Sequence, residues 1–384
     1  MNNLKTIMTN HNTNNKPHQI QIELGKRSYS ILIGHGLLQS AGTIIKKIPG
    51  LGKKVGLITN PTVGPLYANL VISSLEKEGY TVSQFTIPDG EKYKSLDTAR
   101  DLYSKLISNG FDRDSFLIAL GGGVIGDLTG FVAATYMRGI PFIQVPTTLE
   151  AQVDASVGGK VAVDLPEGKN LVGTFYQPRT VIIDPETLKT LPCREISSGL
   201  AEVIKYGIII DEEFFSYLED NIQKVFSFDA TVLEHIITCS CEIKAKVVSK
   251  DEEDKGLRGI LNYGHTIGHA LETLTGYEAL RHGEGVAIGM IGAAQIANHL
   301  KMVDINLVNR LTDLIKSIGL PSSIDSAISV DKIIQTMYKD KKVKDGNLIF
   351  VLPEKIGATQ FYSLSNIEIL RETLISLQGD SHNG

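Results

Sequence analysis

Apolar positions in the first half of the chain fall into short runs separated by polar, glycine-containing turns. Residues 20–24 (IQIEL) and 29–33 (YSILI) alternate and predict a hairpin around residues 25–28. Residues 54–59 (KVGLIT), 81–87, 116–120 (FLIAL), 142–145 and 180–184 read as short strands. Between them, residues 66–79, 96–109 and 126–137 carry apolar side chains at helical spacing. Alternation at this interval predicts a parallel sheet with helices on its faces. After about residue 191 the texture changes. Residues 198–210, 211–226, 230–250, 261–274 and 283–300 all show helical periodicity, with few strand candidates until 348–352. The expected organisation is an α/β N-terminal domain over 19–190 and an all-α C-terminal domain over 191–384. Pro185 and Pro192 punctuate the boundary, and ligand sites favour such junctions.

Composition narrows this picture. A chain of 384 residues exceeds what one core usually fills, and 42% hydrophobic content is ample for folding. A net charge of −5 leaves no basic excess for a polyanion, so no nucleic-acid partner is expected. Three cysteines suit a reducing compartment rather than a disulfide framework. The Asn-rich residues 1–18 read as a disordered extension and not as a signal peptide. The most apolar long window, 116–134, contains Asp127 and five glycines, so no membrane span is expected. Together these readings place the protein in the cytoplasm. Glycine is the outlier, at 37 residues.

Three groups of residues carry chemistry. Gly121, Gly123 and Gly126 form a G-x-G-x-x-G run after a strand and before a helix, the Rossmann-like arrangement for a pyrophosphate. By itself the run is equally an ordinary strand-to-helix turn. The usual acidic ribose partner about 20 residues on is missing; Asp89 or Glu91, in PDGEKYK, could replace it. His265 and His269 lie one helical turn apart in GHTIGH, with His282 after a loop and Glu202 available on an apolar helix. Such a set suits a catalytic metal with an open position. Spacing leaves His269 open between ligand and acid–base group. Lys160, Lys169, Lys244, Arg258 and the pair Lys341–Lys342 could together hold a phosphate or carboxylate, though each alone is most often a surface charge.

Six runs resemble one family, the 3-dehydroquinate synthases. They are GGGVIGDLTGFVAATYMRGIPFIQVPTT (121–148), QVDASVGGK (152–160), LPEGKNLVGTFYQP (165–178), SGLAEVIKYG (198–207), LNYGHTIGHALE (261–272) and HGEGVAIGM (282–290). The resemblance spans about residues 20–374 and implies the dehydroquinate synthase-like fold, with the site between its two parts. It implies that NAD is bound by Asp89, Gly90, Glu91, Lys92, Tyr93, Lys94, Gly123, Val124, Ile125, Gly126, Asp127, Thr147, Thr148, Lys160, Lys169, Thr187, Leu188, Lys189 and Thr190. It assigns one divalent metal, Zn2+ or Co2+, to Glu202, His265 and His282, leaving His269 to help proton transfer. Arg138, Asp154, Lys160, Asn170, Lys205, Lys244, Arg258, Asn262 and Lys341 would contact substrate, with His269, Lys205, Lys160 and Asn262 the catalytic set. Arg138 would reach the neighbouring subunit of a homodimer.

The implied reaction turns 3-deoxy-D-arabino-heptulosonate 7-phosphate (DAHP) into 3-dehydroquinate and phosphate, the second step of the shikimate pathway. It proceeds by transient NAD oxidation at C5, phosphate elimination, re-reduction, ring opening and intramolecular aldol closure, with no net redox change. Rival readings are another sugar phosphate cyclase such as 2-deoxy-scyllo-inosose synthase, an alcohol or glycerol dehydrogenase that releases NADH, and a catalytically dead NAD-binding regulator. The sequence departs from the family at Glu150, usually apolar, at Val161, usually threonine, and at Gly285, commonly alanine.

Overall fold

A computed structural model of the chain describes residues 17–276, 279–339, 343–344 and 347–378. Residues 1–16 of the expected extension, and Lys341, lie outside this set. The N-terminal half is a seven-stranded sheet. Its strands are β1 (His18–Ile22), β2 (Tyr29–Ile33), β3 (Lys54–Thr59), β4 (Thr81–Thr86), β5 (Phe116–Gly121), β6 (Phe142–Pro146) and β9 (Thr180–Ile183). The order is β1-β2-β9-β6-β5-β3-β4, antiparallel only between β1 and β2. Every residue of β5, β6 and β9 is buried, as expected for strands covered on both faces. Helices α1 (Ala41–Lys46) and α2 (Asn69–Lys77) cover one face, and α3 (Leu96–Ser108) and α4 (Gly123–Thr135) the other.

The chain moves outward from β3 to β4 and then crosses to β5 on the other side of β3. Strand order therefore reverses beside β3, and the carboxyl ends of β3 and β5 frame a crevice of the kind that takes ligands in open α/β sheets. The segment around Lys160 and Lys169, which shows no periodicity in the sequence, is an antiparallel hairpin of β7 (Lys160–Leu165) and β8 (Gly168–Phe175). It packs on α4 through Val161, which buries against Gly130; a Cβ there would sit 2.3 Å from Val161 Cγ1.

The C-terminal half is helical, with α5 (Cys193–Ile210), α6 (Glu212–Asn221), α7 (Ala230–Lys250), α8 (His265–Leu274), α9 (His282–His299), α10 (Ile305–Ser317), α11 (Val330–Lys339) and α12 (Ile367–Leu377). Asp211, Asp229 and Asp304 cap α6, α7 and α10 by accepting backbone N–H bonds. This half also holds a small antiparallel sheet, β10 (Val343–Lys344), β11 (Asn347–Lys355) and β12 (Ala358–Leu364), so it is not purely α. Ile196 to Ile209 of α5 are buried without interruption, which makes α5 the central helix of this half.

One core crosses the expected boundary. Alternate residues of β1, β2 and β9 (Ile20, Ile22, Tyr29, Ile31, Ile33, Val181, Ile183) pack with α5, α7 and α9 in a single apolar cluster, while Leu32 and Ile182 face the other side. Among the described residues no helix is long and apolar enough to cross a membrane.

Candidate active site

A cleft of about 2200 Å³ runs between the carboxyl ends of the sheet strands and the helical half. That is larger than the usual single-ligand pocket and has room for a dinucleotide together with a second molecule. Its strand-side wall consists of loops. Asp89, Gly90 and Glu91 follow β4, Gly122, Gly123 and Val124 open α4, and Thr147 and Thr148 follow β6. Asn60, Thr62 and Tyr67, from the segment after β3, complete this wall and are not among the residues that the sequence motifs point to. Thr62 Oγ1 donates to Asp89 Oδ2 at 2.6 Å and so fixes the carboxylate. The signal for them was positional, since they follow a parallel strand at the reversal point.

Two features mark this wall as suited to a nucleotide. Thr147 Oγ1 is buried without a hydrogen-bond partner among the described residues. At the start of α4, Gly123 lines the cleft, and a Cβ on it would make only an ordinary contact, 3.5 Å from Ala155 Cβ. The other motif glycines serve packing: a Cβ on Gly121 would lie 2.8 Å from Ile125, and one on Gly126 2.8 Å from Gln144.

Lys94 knots the loops together beneath this wall. It is buried, donates to Asn170 Oδ1 at 2.7 Å and to Asp127 Oδ2 at 3.2 Å, and pairs with Glu91 and Asp164. Against its burial, these carboxylates hold the ammonium well above its ordinary range. Burial pushes Asp127 up to about 6, with Lys94 opposing. Asn170 adopts a left-handed conformation (φ 55°) at this junction.

The helix-side wall presents His269, Glu272 and His282, and behind it lie the buried side chains of Glu202, Lys205 and His265. Glu202 and Lys205 lie one turn apart on α5, and Lys205 Nζ donates to Glu202 Oε2. Glu202 Oε1 is fully buried and has no hydrogen-bond partner among the described residues. His282 Nε2 stands 3.5 Å from that oxygen and His265 Nε2 3.7 Å. Donors about 2.1 Å from one tetrahedral ion lie about 3.4 Å apart, so these three residues fit a divalent metal. A second group, His269, Glu272 and His282, also brings its donor atoms within 4.8 Å of one another. His269 is half-buried at the cleft wall, its ring centroid 5.1 Å from that of His265.

Between the walls lies a charged floor. Asp154 Oδ1 accepts from Tyr206 Oη at 2.6 Å and from Lys244 Nζ at 2.7 Å, with Lys205 Nζ 3.9 Å away. Despite burial, Lys244 and Lys205 hold Asp154 well below the usual carboxylate range. Burial lowers Lys244 to about 8, with Asp154 opposing. Arg258 is buried and donates to the carbonyls of Glu252 and Gly158. Gly158 has φ 98°, and a Cβ on it would meet the guanidinium at 2.5 Å. Lys160, on β7, pairs with Asp254 at the mouth of the cleft. Lys169, Asn170 and Asn262 also line it.

Some expected residues do not line the cleft, Glu202, Lys205 and His265 among them, since they are buried behind the wall that His282 forms. Lys92 and Lys189 are exposed, Lys189 bonding Glu186 at 2.5 Å. Leu188 is buried in the core, and Thr187 Oγ1 donates to the Asp184 carbonyl, so both support the wall from behind. Tyr93 and Gly126 likewise pack beneath it. Arg138 is exposed at the far end of α4, in a left-handed turn with Met137 (φ 68° and 52°). Of the departures, Glu150 is half-buried and lines the cleft, and burial pushes it up to about 7.

A mostly parallel sheet with a glycine-lined crevice, facing across one cleft a largely buried two-histidine, one-carboxylate cluster, defines an α/β–α class of protein with paired nucleotide-type and metal-type walls. Family profiles agree. The profile for the 3-dehydroquinate synthase N-terminal region matches residues 84–198, and that for the C-terminal region matches 199–343. The 3-dehydroquinate synthase of Desulforamulus reducens is 51% identical over 343 residues, 89% of this chain and 95% of that protein. The one from Thermodesulfovibrio yellowstonii is 51% identical over 356 residues, 93% and 98% of the two chains. The chain belongs to the 3-dehydroquinate synthase family. A solved structure of 2-deoxy-scyllo-inosose synthase, complexed with carbaglucose-6-phosphate, NAD+ and Co2+, superposes with a TM-score of 0.85 at 29% identity. It covers 93% of this chain and 99% of its own.

Proposed function

We propose that the protein is a 3-dehydroquinate synthase that converts DAHP to 3-dehydroquinate and inorganic phosphate, with NAD and one divalent ion, Zn2+ or Co2+. The observation that carries this reading is the orphaned Glu202 Oε1, faced by two imidazoles, one of which, His282, lines the cleft that the glycine loop also lines. When bound, NAD supplies a reversible hydride acceptor and the ion a Lewis acid. Glu202, His265 and His282 hold the metal. Asp89 to Lys94, Gly123 to Asp127, Thr147, Thr148, Lys160, Lys169 and the segment 187–190 shape the nucleotide side.

Lys205 keeps Glu202 ionised and oriented. His269, at the cleft wall, takes a hydroxyl proton. Lys160, Asn170, Lys244, Arg258 and Asn262 hold the substrate's phosphate and carboxylate, and Asp154 fixes the Lys244 ammonium. Positioning one conformer through several steps supplies most of the rate. In the same reading residues 19–190 and 191–384 are the two functional halves, and Lys341 contacts substrate. The protein is a cytoplasmic homodimer. Arg138, exposed and not part of its own cleft's lining, serves the partner's.

The test is incubation of the purified protein with DAHP, NAD and Zn2+. Phosphate and 3-dehydroquinate should appear in equal amounts without accumulating NADH. Stoichiometric NADH, or no phosphate release, would overturn the assignment.

A further inference from the structure

We infer that Glu272 is a positioning residue of the metal centre, fixing the tautomer and aim of His282 through Nδ1. The inference rests on the metal reading above. Glu272 lies two turns beyond His265 on the same face of α8, and its side chain is buried, at 7% exposure. Its Oε1 is 3.0 Å from His282 Nδ1. An ionised carboxylate only accepts, so Nδ1 carries the proton and the Nε2 lone pair faces Glu202 Oε1. His265 is set the same way by a different acceptor, its Nδ1 donating to the Tyr263 carbonyl at 3.0 Å. Both rings are thereby turned toward one buried oxygen.

The two supports differ in charge. A carbonyl orients His265, whereas an anion behind His282 also makes Nε2 the more basic donor. Glu272 balances charge as well. A dication beside Lys205 and Glu202 alone leaves +2 in a buried site, and Glu272 lowers this to +1. Its reach depends on how closely α8 and α9 cross: a Cβ on Gly268 would lie 2.9 Å from the Gly285 backbone. On Gly285, the glycine that replaces a common alanine, a Cβ would lie 3.5 Å from Glu272 Oε1.

The test is Co2+ titration of the metal-free, full-length protein by calorimetry, with Glu202→Gln and Glu272→Gln compared to wild type. Wild type should bind one ion and Glu202→Gln none. Glu272→Gln should keep one-to-one binding with Kd raised about 10- to 100-fold. An unchanged Kd in Glu272→Gln would overturn the inference and leave the metal reading intact. Loss of binding in Glu272→Gln with retention in Glu202→Gln would make Glu272 a direct ligand and overturn it too. No binding by wild type ends the metal reading and this one with it. Should Glu272→Gln fail to fold, 15N-histidine spectra of the Zn2+-loaded wild type decide: the inference requires a protonated Nδ1 at His282, and a protonated Nε2 defeats it.

Discussion

On the strand side of the cleft the groups offered to a ligand are largely backbone and short hydroxyls, set by loops at the ends of parallel strands. On the helix side they are charged side chains buried in a core, each needing a partner. The first kind of wall is locally encoded: Gly122, Gly123 and Thr147 are presented by the strand ends they follow. The second is coupled. Lys205 binds Glu202 and approaches Asp154, which Tyr206 and Lys244 hold in turn. A change at one member of that chain strands its neighbour in a low-dielectric site.

The largest effects should come from breaking the coupled wall. Glu202→Gln or His265→Ala should remove the metal, measured by elemental analysis, and reduce turnover by about 10³-fold or more. His269→Ala should keep the metal and slow turnover by about 10²–10⁴-fold, so metal loss there would make His269 a ligand.

Next come substitutions that separate rigid from yielding contacts. A Cβ on Gly289 of α9 would sit 1.9 Å from the Gly264 carbonyl oxygen, whereas one on Gly130 of α4 meets the Val161 side chain. Gly289→Ala should therefore cost about 3 kcal/mol or more by urea unfolding, and Gly130→Ala about 1–2 kcal/mol. Val161→Ala should recover part of the second by removing the 2.3 Å contact, and nothing comparable relieves the first.

The smallest effect lies at Glu150. Its folded pKa, raised by burial and by the nearby Glu202, Asp154 and Glu272 with His282 opposing, exceeds the unfolded value. The native state thus holds the extra proton, so stability is full below about pH 4 and declines as pH rises through about 7. Glu150→Gln should raise the Tm of the ligand-free protein at pH 8 by about 2 °C and leave it unchanged at pH 4.

Much of this was legible because it is periodic. The strand at residues 54–59 and the helix at 230–250 have the bounds that their apolar spacing gives. The hairpin β7–β8 was not, because its inner face packs on α4 while β8 is mostly exposed, and a register shift between Val163 and Leu165 breaks the alternation. A strand that lines a polar cleft has no reason to alternate. The histidine pair showed in its spacing, and Glu202 in a charged pair on an apolar helix. Glu272 gave only its seven-residue distance from His265, and a lone glutamate on a helix is most often solvated.

The apolar cluster shared by β1, β2, β9 and the helices α5, α7 and α9 bears on how the gene could be divided. Severed between β9 and α5, the chain would yield two fragments. Each would carry a bare apolar face matched only by the other, so the halves should be recovered by co-expression and precipitate when made alone.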